Sequence, residues 1–187
     1  MKDRRTMAWS KKRKVKHAYD VTADMYDKRY REEQNRKYQV ALANVGVSGK
    51  MVLDVGCGSG MLFSHLAKAK MVVGVELSHG LLIKAQQRAS GLDRVFVMQA
   101  DADHLPFLDG LFDVGVAFTM LQNMPNPALT LAELRRAVGA GGKVVVTGLK
   151  KAFKFEDFMD LLECSGLQVE AYVDDEAVNC YIAVLTA

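Results

Sequence analysis

Short, nearly uninterrupted apolar runs recur along the chain, and each is followed by a turn signal and then by apolar positions three and four residues apart. Met51–Val55, Met71–Val75 and Val95–Met98 are the clearest of these runs. Their spacing predicts strands over 51–55, 71–75, 95–99, 112–118 and 143–148, with helices over 61–69, 79–89 and 128–138 between them. Ser78 stands where it would cap the helix at 79–89, and Gly91 follows that helix's end. Strands without polar alternation are those covered by helices on both faces. Strand–helix alternation of this kind winds a parallel sheet through right-handed crossovers. The carboxyl end reads differently. A helix at 155–164 leads through Gly166 to strands at 168–173 and 180–186, joined only by Asp174–Asn179. So short a connection makes this pair antiparallel. The expected fold class is α/β: a doubly wound, mostly parallel seven-stranded sheet with an antiparallel last strand.

Ahead of the strands lies a polar, tyrosine-rich segment, Tyr19 to Tyr38, then an amphipathic stretch ending at Gly46 and Gly49. Charge divides this region further. Residues 1–16 hold eight Lys/Arg against one acid, a net of +7, whereas the remainder, with 17 basic and 21 acidic side chains, is −4. The expected organisation is therefore a basic, flexible arm (1–16), an amino-terminal helical lid segment (17–45) and a single domain (46–187). A basic arm on an acidic body implies a polyanionic partner, nucleic acid first, with Trp9 able to stack on a base; the alternative is a solvated, disordered tail. The three cysteines (Cys57, Cys164, Cys180) are far apart, which suggests a reducing compartment and shows no metal-ligand spacing; the four histidines are equally scattered, and no metal site is expected. No apolar run is long enough to span a bilayer and no signal segment is evident, so a cytoplasmic protein without a membrane partner is expected.

The candidate chemistry lies at Asp54-Val55-Gly56-Cys57-Gly58-Ser59-Gly60, at the end of the first expected strand. Glycines let backbone turn sharply and come close to a ligand. A triphosphate-binding loop would need Gly-Lys-Ser/Thr, but Met61 follows Gly60; the dinucleotide fingerprint would need a glycine at the place of Met61. The Asp-Val-Gly-Cys-Gly-Ser-Gly spacing resembles the first motif of the class I S-adenosylmethionine-dependent methyltransferases. Further segments resemble that family in order: Glu76 closing Val73-Gly74-Val75-Glu76, Asp101 in Ala100-Asp101-Ala102-Asp103-His104-Leu105-Pro106-Phe107, Phe112-Asp113 opening the fourth strand, and Gly141-Gly142-Lys143 before the fifth. The likeness runs over roughly residues 45–150. Ala100 and Asp103 depart mildly from the family's glycine and glutamate, Asn123 falls where many members carry histidine, and the Asn/Asp-Pro-Pro-Tyr/Phe signature is missing, which lowers adenine and glutamine acceptors.

The resemblance implies a Rossmann-like methyltransferase fold, S-adenosylmethionine as cofactor and S-adenosylhomocysteine as product. It assigns Glu76 to the ribose hydroxyls and Asp101 to the adenine amino group, and leaves Asp54 either orienting the loop amides or facing the cofactor's amino group. The expected cofactor site comprises Asp54, Gly56, Cys57, Gly58, Gly60, Glu76, Leu77, Asp101, Ala102, Phe118 and the lid residue Tyr26. Tyr19, Thr119, Gln122 and Asn123 are expected where the acceptor pocket opens, with no side chain identified as a general base. A bare core with a basic arm suits RNA (tRNA or rRNA) as acceptor. The alternatives are a quinone-like or other small molecule enclosed by residues 1–45, and a non-catalytic cofactor-binding subunit. Strand 95–99 is expected at a sheet edge without charge, which suits pairing with a small zinc-ribbon activator, as in several family members, or with a second copy.

Overall fold

The computed structural model describes residues 4–43, 45–176 and 178–187. Strands β1 (Met51–Val55), β2 (Met71–Glu76), β3 (Val95–Gln99), β4 (Phe112–Ala117), β5 (Val138–Leu149), β6 (Gln168–Val173) and β7 (Cys180–Thr186) form one sheet in the order β3-β2-β1-β4-β5-β7-β6. β1 to β5 pair in parallel, and β7 runs antiparallel to both β5 and β6. The order reverses between β1 and β4, so their carboxyl ends open a crevice at the switch point.

The apolar strands divide their side chains between two cores. Val52, Val72, Val114 and Val145 enter one, with Phe63, Leu66 and Ala85; Leu53, Val75, Val144 and Val146 enter the other, with Leu131, Leu134, Phe158 and Leu162. Alternation along each strand sends neighbours to opposite faces, and both faces are covered, hence the uninterrupted apolar pattern. Helix α2 (His79–Ala89) lies on the first face, and α3 (Pro127–Ala137) and α4 (Phe155–Glu163) on the second.

Three elements differ from expectation. Residues 61–69 hold only a 3-10 turn, Phe63–Leu66, secured by Phe63 N donating to the Gly60 carbonyl (3.1 Å) and by Gly49 N reaching the Lys68 carbonyl (2.9 Å). The bonds of Phe63 N to Gly60, His65 N to Leu62 and Ala69 N to Leu66 each span three residues, the spacing of the tighter helix. β5 begins at Val138 rather than 143, taking in the glycines read as loop, with a register shift against β4 between Phe112 and Val114. Helix α1 runs without a break from Arg4 to Leu42, so the expected arm and lid segment are continuous. No Gly or Pro interrupts it, and at 1.5 Å per residue it is about 58 Å long. It packs on α2 and β7, and its buried residues include Lys12, Ala23, Gln34, Lys37, Tyr38 and Ala41, half of them polar. No described helix is long and apolar enough to cross a membrane. At the far edge of the sheet β3 leaves Phe96 55% exposed.

Candidate active site

The loop after β1 turns on three glycines of positive φ, Gly56 (72°), Gly58 (58°) and Gly60 (78°). The third admits nothing larger: a Cβ on Gly60 would lie 2.3 Å from the Phe63 ring. Gly56 N and Cys57 N both donate to the Val75 carbonyl at 2.8 and 3.0 Å, which ties the loop to β2. Glu76, at the end of β2, accepts from Gly58 N at 3.0 Å with one oxygen and from Ser78 N at 2.7 Å with the other. Beneath the loop Asp54 is buried, and its Oδ2 has no hydrogen-bond partner among the described residues.

Burial, then the field of Glu76, pushes Asp54 up to about 8, so it carries a proton at neutral pH. Burial raises Glu76 also, but the N–H groups of Ser78 and Gly58 oppose that rise, a support that the unpartnered Oδ2 of Asp54 lacks.

Helix α1 closes over this frame. Asp20 accepts from Ser78 Oγ at 2.6 Å and Gly80 N at 3.0 Å, and Asp27 accepts from Ser59 Oγ and from Arg88 Nη2, the latter at 2.7 Å. Gly80 leaves room for the first clamp, since a Cβ there would stand 3.2 Å from the Asp20 backbone. Between the clamps Tyr26 covers Gly58, its hydroxyl 3.5 Å from where a Cβ would stand; burial raises its pKa above the ordinary tyrosine range. Lys12 is 6% exposed, and its ammonium meets Asp101 at 2.6 and 2.8 Å and Asp103 at 2.6 Å. Lys11 donates to the Met124 carbonyl at 2.7 Å, and Lys16 to Asp20 at 2.6 Å.

The crevice encloses a cavity of about 90 Å³. Of the residues expected around a cofactor, Gly56, Gly58, Glu76, Leu77, Asp101, Ala102, Phe118 and Tyr26 line it. Asp54, Cys57 and Gly60 do not; they lie behind it, with Cys57 packed against Gly74. A second cavity of about 770 Å³ adjoins the first and shares Tyr19, Tyr26, Thr119 and Asn123 with it. Tyr19, Thr119, Gln122 and Asn123, the expected acceptor residues, all line this chamber, joined by Tyr30, Glu33 and Gln34 of α1 and by Leu149–Ala152. Asn123 donates to the Tyr19 hydroxyl at 3.0 Å. Thr119 holds φ at 55°, unusual for a branched residue. Its amide donates to Thr147 Oγ1 (2.7 Å), its hydroxyl accepts from the fully buried Lys37 (2.7 Å) and its carbonyl from Gln122 (2.5 Å), so the strained turn is held on three sides.

Several of these residues escaped the sequence reading: Lys12, Asp20, Asp27, Glu33, Gln34, Lys37 and Arg88. A signal for two of them was present, since Lys12, Tyr19, Tyr26 and Glu33 are spaced by seven and share a stripe of α1.

A nucleoside sulfonium would meet Gly56 and Gly58 of the loop and Glu76; Asp54 lies buried behind the cavity, and at Asp101 the Lys12 ammonium stands in the corner assigned to adenine. A family profile described as "Methyltransferase domain" matches residues 53–146. The chain belongs to the S-adenosylmethionine-dependent methyltransferase superfamily. It is similar to a ubiquinone biosynthesis O-methyltransferase of Methylococcus capsulatus, 36% identical over 124 residues, 63% of this chain and 51% of that one. A phosphatidylethanolamine N-methyltransferase of Cereibacter sphaeroides is 34% identical over 107 residues, 56% of this chain and 53% of that one. The chain spans about half the length of these curated methyltransferases. In fold it resembles a chain of the complex between the Haloferax volcanii Trm112 methyltransferase activator and a methyltransferase, with a TM-score of 0.82 at 18% identity over 92% of this chain and 97% of that one.

Proposed function

We propose that this methyltransferase-family chain transfers a methyl group from S-adenosylmethionine to a small molecule held in the tyrosine-lined chamber under α1. The observation that carries the reading is the adjoining cavity itself. Its about 770 Å³ lies within the range of small-molecule sites, and it meets the crevice at Tyr19, Tyr26, Thr119 and Asn123. When bound, the donor supplies an electrophilic methyl group on sulfonium sulfur. The protein's part is to hold and orient. Glu76 would receive the ribose hydroxyls, Asp101 the adenine amino group, and the glycine loop, with Asp54 behind it, the amino-acid end, while Tyr26 closes the lid. Such a displacement needs alignment and dryness more than proton transfer.

RNA was the first acceptor expected, through a free basic arm. Three of the cations meant to reach it, Lys11, Lys12 and Lys16, instead bind the protein's own Met124, Asp101/Asp103 and Asp20. That favours a small acceptor, as do the names of the ubiquinone-pathway and phosphatidylethanolamine methyltransferases. For a protein partner, the exposed Phe96 on the β3 edge and the likeness to a chain of the Trm112 complex support strand pairing by a small activator. Incubation with trideuteromethyl S-adenosylmethionine, followed by mass spectrometry of separated small-molecule and RNA fractions, tests the acceptor. Label in the small-molecule fraction is expected; label confined to RNA overturns the reading.

A further inference from the structure

We infer that Lys37 is a positioning residue for methyl transfer: it holds Thr119 in the turn that frames the passage between crevice and chamber. The inference rests on the chamber being the acceptor site. Four residues line both cavities. Tyr19 and Tyr26 come from α1 and Asn123 from the short turn beyond β4, whereas Thr119 follows the end of β4 itself. Among the described residues Thr119 alone, glycines aside, holds a positive φ, at 55°. A branched side chain rarely adopts that conformation. Each polar group of Thr119 is engaged with the protein: the amide with Thr147 of β5, the carbonyl with Gln122 and the hydroxyl with Lys37.

Lys37 is a second costly choice at the same point. Its side chain is fully buried on α1, where lysine is almost never found unless paired. The ammonium donates to Thr119 Oγ1 at 2.7 Å and meets Glu33 only at 3.5 Å. Cys180, the buried first residue of β7, lies beside the pair: burial raises its thiol pKa, and the Lys37 ammonium and the Thr119 hydroxyl oppose that rise. One ammonium therefore joins the lid helix, the end of β4 and the start of β7 behind the wall where the cavities meet. A leucine at 37 and a glycine at 119 would remove both costs. Strain of this kind persists only where the surroundings over-determine it, and it gathers at functional sites. What the pair secures is alignment. Acceptor atom, methyl carbon and sulfur must stand in line, and a misplacement of about 1 Å costs about a hundredfold in rate. Without Lys37 the turn is free to relax to negative φ, which shifts the frame of the passage. The glycine loop and Glu76 on one side, and Tyr30 and Leu149–Ala152 on the other, keep their places. The loss falls on turnover and not on the binding of donor or acceptor.

The test uses the full chain with trideuteromethyl S-adenosylmethionine and a dilution series of the small-molecule extract of the cells that make it, label being followed by mass spectrometry. Lys37→Met exchanges the buried ammonium for an apolar chain of similar length. Its rate at saturating donor and extract should fall at least about tenfold. The extract concentration giving half that rate, and the affinity for S-adenosylhomocysteine read by calorimetry, should each stay within about twofold of the parent. Where Lys37→Met does not fold, Thr119→Gly takes its place with the same expected outcome, since glycine accepts the positive φ without strain but leaves the turn free to move. A folded variant with the parent's rate, or one whose loss lies in acceptor or S-adenosylhomocysteine binding instead, overturns the positioning role while leaving the chamber as acceptor site. Label confined to RNA, or no transfer by the parent at all, overturns the chamber reading itself and this inference with it.

Discussion

The crevice at the strand ends and the chamber beside it share a wall, yet they are built from different material. The floor of the crevice is made of backbone amides, glycines and acids at strand termini, within short stretches at 54–60, 76–78 and 101–103, to which α1 adds Lys12, Val15, Lys16, Tyr19 and Tyr26. The chamber is made of side chains brought from α1, from the turn after β4 and from the segment after β5. The floor is local and rigid by conformation; the chamber depends on where a long helix lands. A donor site of the first kind tolerates little, whereas an acceptor site of the second can change chemistry by exchanging a few helix residues.

Substitutions on the two sides should therefore separate. The largest effect is expected for Gly60→Ala. Its positive φ and the collision with Phe63 should together destabilise the fold by about 2–5 kcal/mol in chemical denaturation. A variant as stable as the parent would break the claim that the crevice is set by backbone geometry. Next, Glu76→Gln replaces a charged acceptor of two N–H groups with a neutral one. About 10- to 100-fold weaker binding of S-adenosylhomocysteine is expected, with acceptor KM unmoved. Equal losses on both sides would blur the division.

Asp54 gives a pH-dependent effect. Its folded pKa of about 8 lies above the unfolded value near 4, so between those values the folded state holds a proton that the unfolded state has lost. This contribution to stability is complete below about pH 4, falls as pH rises toward 8 and is flat above. Asp54→Asn should remove that decline from denaturation curves taken across the window; an unaltered slope would show Asp54 ionised in the fold. Least is expected of Arg13→Glu with Lys14→Glu, both exposed on α1. Stability should move within about 0.5 kcal/mol and turnover of a small acceptor should not change. Lost turnover there would show that the exposed face of the basic segment takes part in handling the small acceptor.

The same contrast explains what the sequence disclosed. The seven strands and the reversed β7 were legible because burial on both faces writes itself as apolar runs. The glycine loop was legible because its chemistry is contiguous. The span 61–69 looked helical by pattern, but its hydrogen bonds from Phe63 to Gly60, His65 to Leu62 and Ala69 to Leu66 wind it more tightly. The start of α1 looked like a free arm because its docking residues are polar. Lys12 is buried by Asp101 and Asp103, which lie 89 and 91 positions further on, and no hydrophobic pattern announces such a contact. Gln34 and Lys37 escaped for the same reason.

Lys12 has a consequence for the order of events. In the proposed complex the adenine ring takes the corner now filled by that ammonium, so loading the donor must evict the cation and loosen the first turns of α1. Most ligands shield the protein they bind from proteases; here the donor should make the amino-terminal turns easier to cut. Lys12→Ala, already released, should bind S-adenosylhomocysteine about tenfold more tightly and show no added cleavage on binding it.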